Sequence, residues 1–146
     1  MYSVGLSAMK GMFFDRAKVQ SAINVATRRV LSRFGAFVRQ RARTSIRKRK
    51  GISPPGQPPY SHVGTLRSGI LFGYDMGRQS VVIGPVALRS GGVIPKALEY
   101  GGTSFVRSRR GATERATVQA RPFMRPALAA ELPGLPAMWR NSVRKG

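Results

Sequence analysis

One histidine, five acids and twenty arginines are the side chains of this sequence with obvious chemical capacity. His62 sits in the loop-like stretch SPPGQPPYSHVG with no second histidine, cysteine or nearby acid to complete a metal set or a general-base pair. Asp15, Asp75, Glu99, Glu114 and Glu131 are scattered along the chain, and no pair of them is spaced for acid–base work. Ser68, Ser90 and Ser104 stand near glycines, yet no G-x-S-x-G elbow is present. Neither GxxxxGK[ST] nor GxGxxG occurs to cradle a phosphate. There is no cysteine, hence no disulfide, thiolate metal site or thiol nucleophile. The expectation is a protein with no catalytic residues, no metal and no cofactor.

The arginines point elsewhere. Lys and Arg total 26 against five acids, a formal net charge of +21 on 146 residues. A chain this basic repels its own copies in the free state and attracts polyanions or acidic partners, and arginine forks grip phosphate and carboxylate with two hydrogen bonds at once. Two runs concentrate this chemistry. RQRARTSIRKRK offers Arg39, Arg43, Arg47, Lys48, Arg49 and Lys50, and RSRR offers Arg107, Arg109 and Arg110. All nine are candidates for contact with phosphate, DNA or an acidic partner. No zinc-finger spacing or RNP-type aromatic signature accompanies them, so nothing here reads a specific base sequence.

The elements that must position these groups follow from spacing. Val19, Ile23, Ala26, Val30, Phe34 and Phe37 recur at steps of three and four, which predicts one long helix over about residues 16–46, with Asp15 as its N-cap and Arg28, Arg39 and Arg43 on the opposite face. RKRKG places cations and a glycine where a helix ends. The four prolines of SPPGQPPYSHVG exclude helix and central strand, so this stretch crosses the surface extended.

TLRSGILFGYD and RQSVVIGPV read as two strands joined by the turn DMGR. IPKALEYGG is a short helical turn ending at its glycines, and residues 103–118 form either a second hairpin with an arginine-rich tip or an irregular loop. A last helix starts at Arg125 or Pro126 in MRPALAAEL and is interrupted by Pro133 and Pro136. The fold class is α+β: a long N-terminal helix and a C-terminal helix packed on a small antiparallel β-sheet. Residues 1–14 form an N-terminal arm, 15–132 a single domain and 133–146 a basic C-terminal extension. No apolar run approaches the ~20 residues that span a bilayer, and the start lacks the apolar core of a signal peptide.

QARPFMRPALAA, residues 119–130, carries no nucleophile, acid or metal ligand. Pro122 and Pro126 are expected to hold the chain extended and then start a helix. Phe123 and Met124 then fill an apolar groove between sheet and helix or between subunits. Arg121 and Arg125 reach outward towards Glu99 of the same or the next copy. Glu99, beside Tyr100 in a mainly apolar stretch, is the acid best placed for such a pair.

Three stretches in order, PPGQPPYSHVGTLRSGI (54–70), IPKALEYGG (94–102) and ARPFMRPAL (120–128), follow the long Ala- and Arg-rich helix. Together they resemble the small head–tail joining, or tail-completion, proteins of long-tailed bacteriophages. Val63-Gly64 stands where Thr-Gly is usual in that family; residues 97–101 and 120–127 fit closely. The resemblance implies a non-enzymatic virion protein of the neck, made in the host cytoplasm. It implies a homo-oligomeric ring, sixfold in the family, with neighbouring neck and tail-tube proteins as partners, phage DNA in the channel and no membrane. Glu99, Tyr100, Arg121, Phe123, Met124 and Arg125 are then subunit-interface or anchoring candidates. Two alternatives stay open: a non-specific nucleic-acid-binding basic protein, and a tail terminator of the same neck.

Overall fold

The computed structural model describes residues 15–86, 93–107 and 111–143. The expected N-terminal arm, 1–14, lies outside them.

Helix α1 (Arg16–Ser45) runs 30 residues, and the Asp15 carboxylate caps it by accepting from the Lys18 N–H at 3.2 Å. Its buried stripe is Ala26, Thr27, Val30, Phe34, Gly35, Val38 and Ala42. The stripe is rotated from the sequence expectation. Ile23 and Phe37 remain about 40% exposed, and Arg33 lies over the Phe37 ring at 5.6 Å. Gly35 explains the rotation. A Cβ there would lie 2.7 Å from Val81 Cγ2 and 2.9 Å from Phe72 Cδ2, so the helix presents its smallest residue where the first hairpin presses closest.

The proline-rich stretch leads to a one-turn helix, α2 (Thr65–Ser68), entered through Gly64 at φ 84°. The first strand, expected from Thr65, therefore starts five residues later. Thr65 to Ser68 are held in a turn by the Ser68 N–H to Gly64 O bond and the Ser68 hydroxyl to Thr65 O. Strands β1 (Ile70–Asp75) and β2 (Ser80–Pro85) pair antiparallel, Ile70 with Pro85 through Asp75 with Ser80. Asp75 Oδ1 accepts from the N–H groups of Gly77 and Arg78, which makes the turn foreseen in DMGR, and Gln79 completes it at φ 49°.

Helix α3 (Val93–Tyr100) ends at Gly101, whose positive φ of 76° suits a helix C-terminus. Strands β3 (Gly102–Arg107) and β4 (Thr113–Val118) form the second hairpin, paired Gly102 with Val118 through Arg107 with Thr113. Of the two expectations for residues 103–118, the hairpin is the one found. Helix α4 (Met124–Glu131), a 3-10 turn (Leu132–Gly134) and helix α5 (Leu135–Trp139) close the chain.

The architecture is α+β, a long N-terminal helix and a C-terminal helix with antiparallel strands. The strands form two separate two-stranded sheets rather than one. The core joins Phe34, Val38, Ala42 and Ile46 of the long helix region to Ile70, Phe123 and Ala127. Leu135 and Met138 of α5 pack against it. Arg41 Nε donates to Glu131 Oε1, a charged link between α1 and α4.

Candidate functional site

Helix α4 begins without a capping side chain of its own. Its first N–H groups would be orphans, and they are satisfied from 24 to 26 residues away. Glu99 Oε2 accepts from the N–H of Phe123 at 2.9 Å and of Met124 at 3.0 Å, and Oε1 accepts from the N–H of Arg125 at 2.8 Å. Glu99 is 5% exposed. Three charge-assisted bonds and the positive end of the helix dipole compensate its burial.

Glu99 was expected to find an arginine, on the same or a neighbouring copy. Its principal partners are backbone N–H groups of its own chain. Arg125 is secondary: its Nε stands 3.7 Å from Glu99 Oε1, on a side chain 62% exposed, where an ion pair contributes little. The Arg125 guanidinium lies 5.0 Å from the centroid of the exposed Tyr100 ring. Arg121 turns the other way. Its Nε donates to Ser53 O at 2.9 Å and its Nη1 to Gln119 O at 3.2 Å. A guanidinium only donates, so a backbone carbonyl oxygen can take its N–H in place of an acid.

Around Glu99 the three motif stretches converge. The Arg121 N–H donates to Leu98 O at the end of α3, and Gly56 N–H donates to Ala120 O, which ties the proline-rich crossing to the same segment. Phe123, 1% exposed, enters the core, and Met124 packs half-buried against it. The segment 119–130 is thus a clasp that holds the crossing, α3 and α4 on α1. A cleft of about 290 Å³, lined in part by Ile83, Pro95, Tyr100, Phe123 and Met124, opens beside it.

The basic candidates divide. Arg39 is half-buried and donates from Nε to Ile70 O at 2.8 Å, tying α1 to the start of β1. It is a structural strut rather than a free phosphate contact, because the close approach of hairpin to helix leaves the Ile70 carbonyl needing a donor. Arg43 is half-buried in the last turn of α1. Arg47, Lys48, Arg49 and Lys50 are all exposed. Arg107 ends β3 opposite Thr113. Arg109 and Arg110 lie outside the described residues.

His62 Nε2 is 2.9 Å from the Gly51 carbonyl oxygen and 3.1 Å from its nitrogen, which occupies it in holding the loop. Among the described residues no three His, Asp or Glu side chains gather as a metal site, and no helix is long and apolar enough to cross a membrane. Sequence reasoning missed the carbonyl partners of Arg39 and Arg121 and the backbone partners of Glu99. No residue type or spacing in the sequence marked these partners. No family model, curated protein or solved structure matches this chain.

Proposed function

We propose that this chain is a structural subunit that works by assembly: a tail-completion component of a phage neck. It would close into a ring with its own copies and join the tail to the capsid connector. The three ordered motifs that resemble that family support the reading, and in the fold they meet in one structural clasp.

The observation that carries it is the outer face of the first hairpin. Leu71 is 48% exposed and pairs across the strands with Gly84; Val82 is 65% exposed and pairs with Gly73. Each outward apolar side chain therefore faces a glycine, and Val86, 43% exposed, extends the same edge. The result is an exposed apolar surface on a hairpin packed against α1, the kind of patch that marks a protein–protein contact. Four of the five acids serve the fold itself. Asp15 caps a helix, Asp75 builds a turn, Glu99 caps a helix and Glu131 pairs with Arg41.

Light scattering on the purified protein at low and high salt tests this. An oligomer that survives high salt, and that Leu71→Asp with Val82→Asp reduces to monomers with an unchanged circular dichroism spectrum, is the expected result. A monomer at every salt and protein concentration overturns it.

A further inference from the structure

After α1 and its buried C-cap Ile46, the four cations Arg47, Lys48, Arg49 and Lys50 are consecutive, with no acid or apolar residue among them. They are displayed on a backbone pinned at both ends. Ile46, the C-cap of α1, is fully buried and anchors the start. The Ser61 N–H donates to Arg47 O at 2.9 Å, and His62 holds Gly51 at the other end. The Arg49 guanidinium rests 5.6 Å from the Tyr60 ring centroid, which restrains the cation, and Arg49 remains exposed. A cleft of about 290 Å³ lined by Thr44, Ser45, Arg47, Gln57, Pro58 and Tyr60 borders the run.

None of the four joins any of the three ion pairs formed among the described residues. Some positive charge after α1 is useful against the helix dipole, but Arg43 already stands in the last turn. Four further unpaired cations on a pinned segment exceed that need and concentrate a local field.

We propose that Arg47 to Lys50, backed by residues 57–62, form a phosphodiester-binding ledge for nucleic acid, read by charge and without base preference. The ligand class follows from what the ledge contains. A protein partner needs an apolar or aromatic centre to its contact, whereas Arg47 to Lys50 are four consecutive cations, the Tyr60 ring beside them is taken up by Arg49, and the exposed Ile52 lies beyond Gly51. A polyanion with one charge per repeat suits that surface, and releasing its condensed counterions supplies the binding free energy. This inference stands apart from the assembly reading, since either can fail while the other holds.

The test is fluorescence anisotropy of a labelled random-sequence DNA duplex titrated with the full chain over a salt series. The variant carries Arg47→Gln, Lys48→Gln, Arg49→Gln and Lys50→Gln. The control carries Arg16→Gln, Arg28→Gln, Arg29→Gln and Arg33→Gln, an equal charge loss from exposed positions on α1. Each phosphate contact contributes a slope of about −0.9 to log K against log salt. The ledge variant is expected to lose up to about 3.6 units of slope and on the order of 100-fold in low-salt affinity, the control far less. Thermal melts should match the parent in both.

Equal losses in the two variants mean a diffuse field and overturn the ledge, as does absence of binding at low salt. Tighter binding of poly-glutamate than of the duplex at equal charge concentration also overturns it, in favour of an acidic protein partner.

Discussion

Two hairpins of the same size sit in different surroundings. Each has six-residue strands paired antiparallel over their full length. The first lies on α1 with Ile70 fully buried and Phe72 and Val81 against Gly35, and Arg39 bonds its first carbonyl. Gln79 at its turn donates to Asn24 Oδ1 at 2.9 Å, a further tie to the helix. The second is rooted at α3 through Gly101 and Gly102, and Thr103, Phe105, Thr113, Glu114, Arg115 and Thr117 are all exposed. Phe105 is 69% exposed. An isolated two-stranded hairpin is at best marginal in water, so the first hairpin draws its stability from the helix behind it. The difference teaches that hairpin pairing sets local shape, while burial decides how firmly that shape is held.

The comparison breaks most severely at Phe123, which packs with Ile70 and α1 in the core. Phe123→Ala should cost about 3–5 kcal/mol in chemical denaturation; a loss below about 1 kcal/mol would mean that Phe123 does not organise the core. Next comes Gly35→Leu. Overpacking against Val81 and Phe72 should cost about 1–3 kcal/mol. Amide exchange in β1 and β2 should then accelerate towards the rate in β3 and β4, whereas in the parent the first hairpin should exchange more slowly than the second. Equal exchange of both hairpins in the parent would erase the distinction.

Glu99→Gln acts at the joint between α3, which carries the second hairpin, and α4. The amide keeps one acceptor but turns donors towards N–H groups, so a stability loss of about 1–2 kcal/mol is expected. Because the bonds lie within one chain, the loss should appear at protein concentrations where the chain is monomeric; a loss seen only in the oligomer would put the partner of Glu99 on another copy. Smallest is Phe105→Ser on the exposed second hairpin, where stability should stay within about 0.5 kcal/mol. A larger drop in melting temperature would show that Phe105 is packed after all.

Residue type and spacing made much of the fold legible. The three- and four-residue steps from Val19 to Phe34 announced α1, Asp15 its start, the prolines of 54–59 a crossing without helix or strand, and Asp75 with Gly77 the first turn; the crossing is not extended throughout, because it turns at Pro55 and Gly56, where the Gln57 N–H donates to Pro54 O. The short helix at Thr65 to Ser68 was not legible, because four residues of TLRS suit a strand as well as a turn, and the turn is entered through Gly64 in the left-handed region and closed by backbone bonds. The division into two sheets was not legible either. Strand pairing between hairpins depends on where α3 and the clasp place them, which no alternation of side chains encodes.

By itself, then, the sequence determined α1, α4, the first hairpin turn and a proline-rich crossing without helix or strand, since those depend on side-chain period, proline and glycine within a few residues, but it did not determine α2. It also determined the excess of cations over acids. Only the tertiary structure decided what the charges do. Glu99 meets three backbone N–H groups, and Arg39 and Arg121 meet the carbonyls of Ile70 and Ser53. Arg47 to Lys50 remain exposed on a pinned segment. Backbone N–H and C=O groups are the same at nearly every residue, so a side chain that pairs with them across the fold leaves no mark in the residue types of its partner.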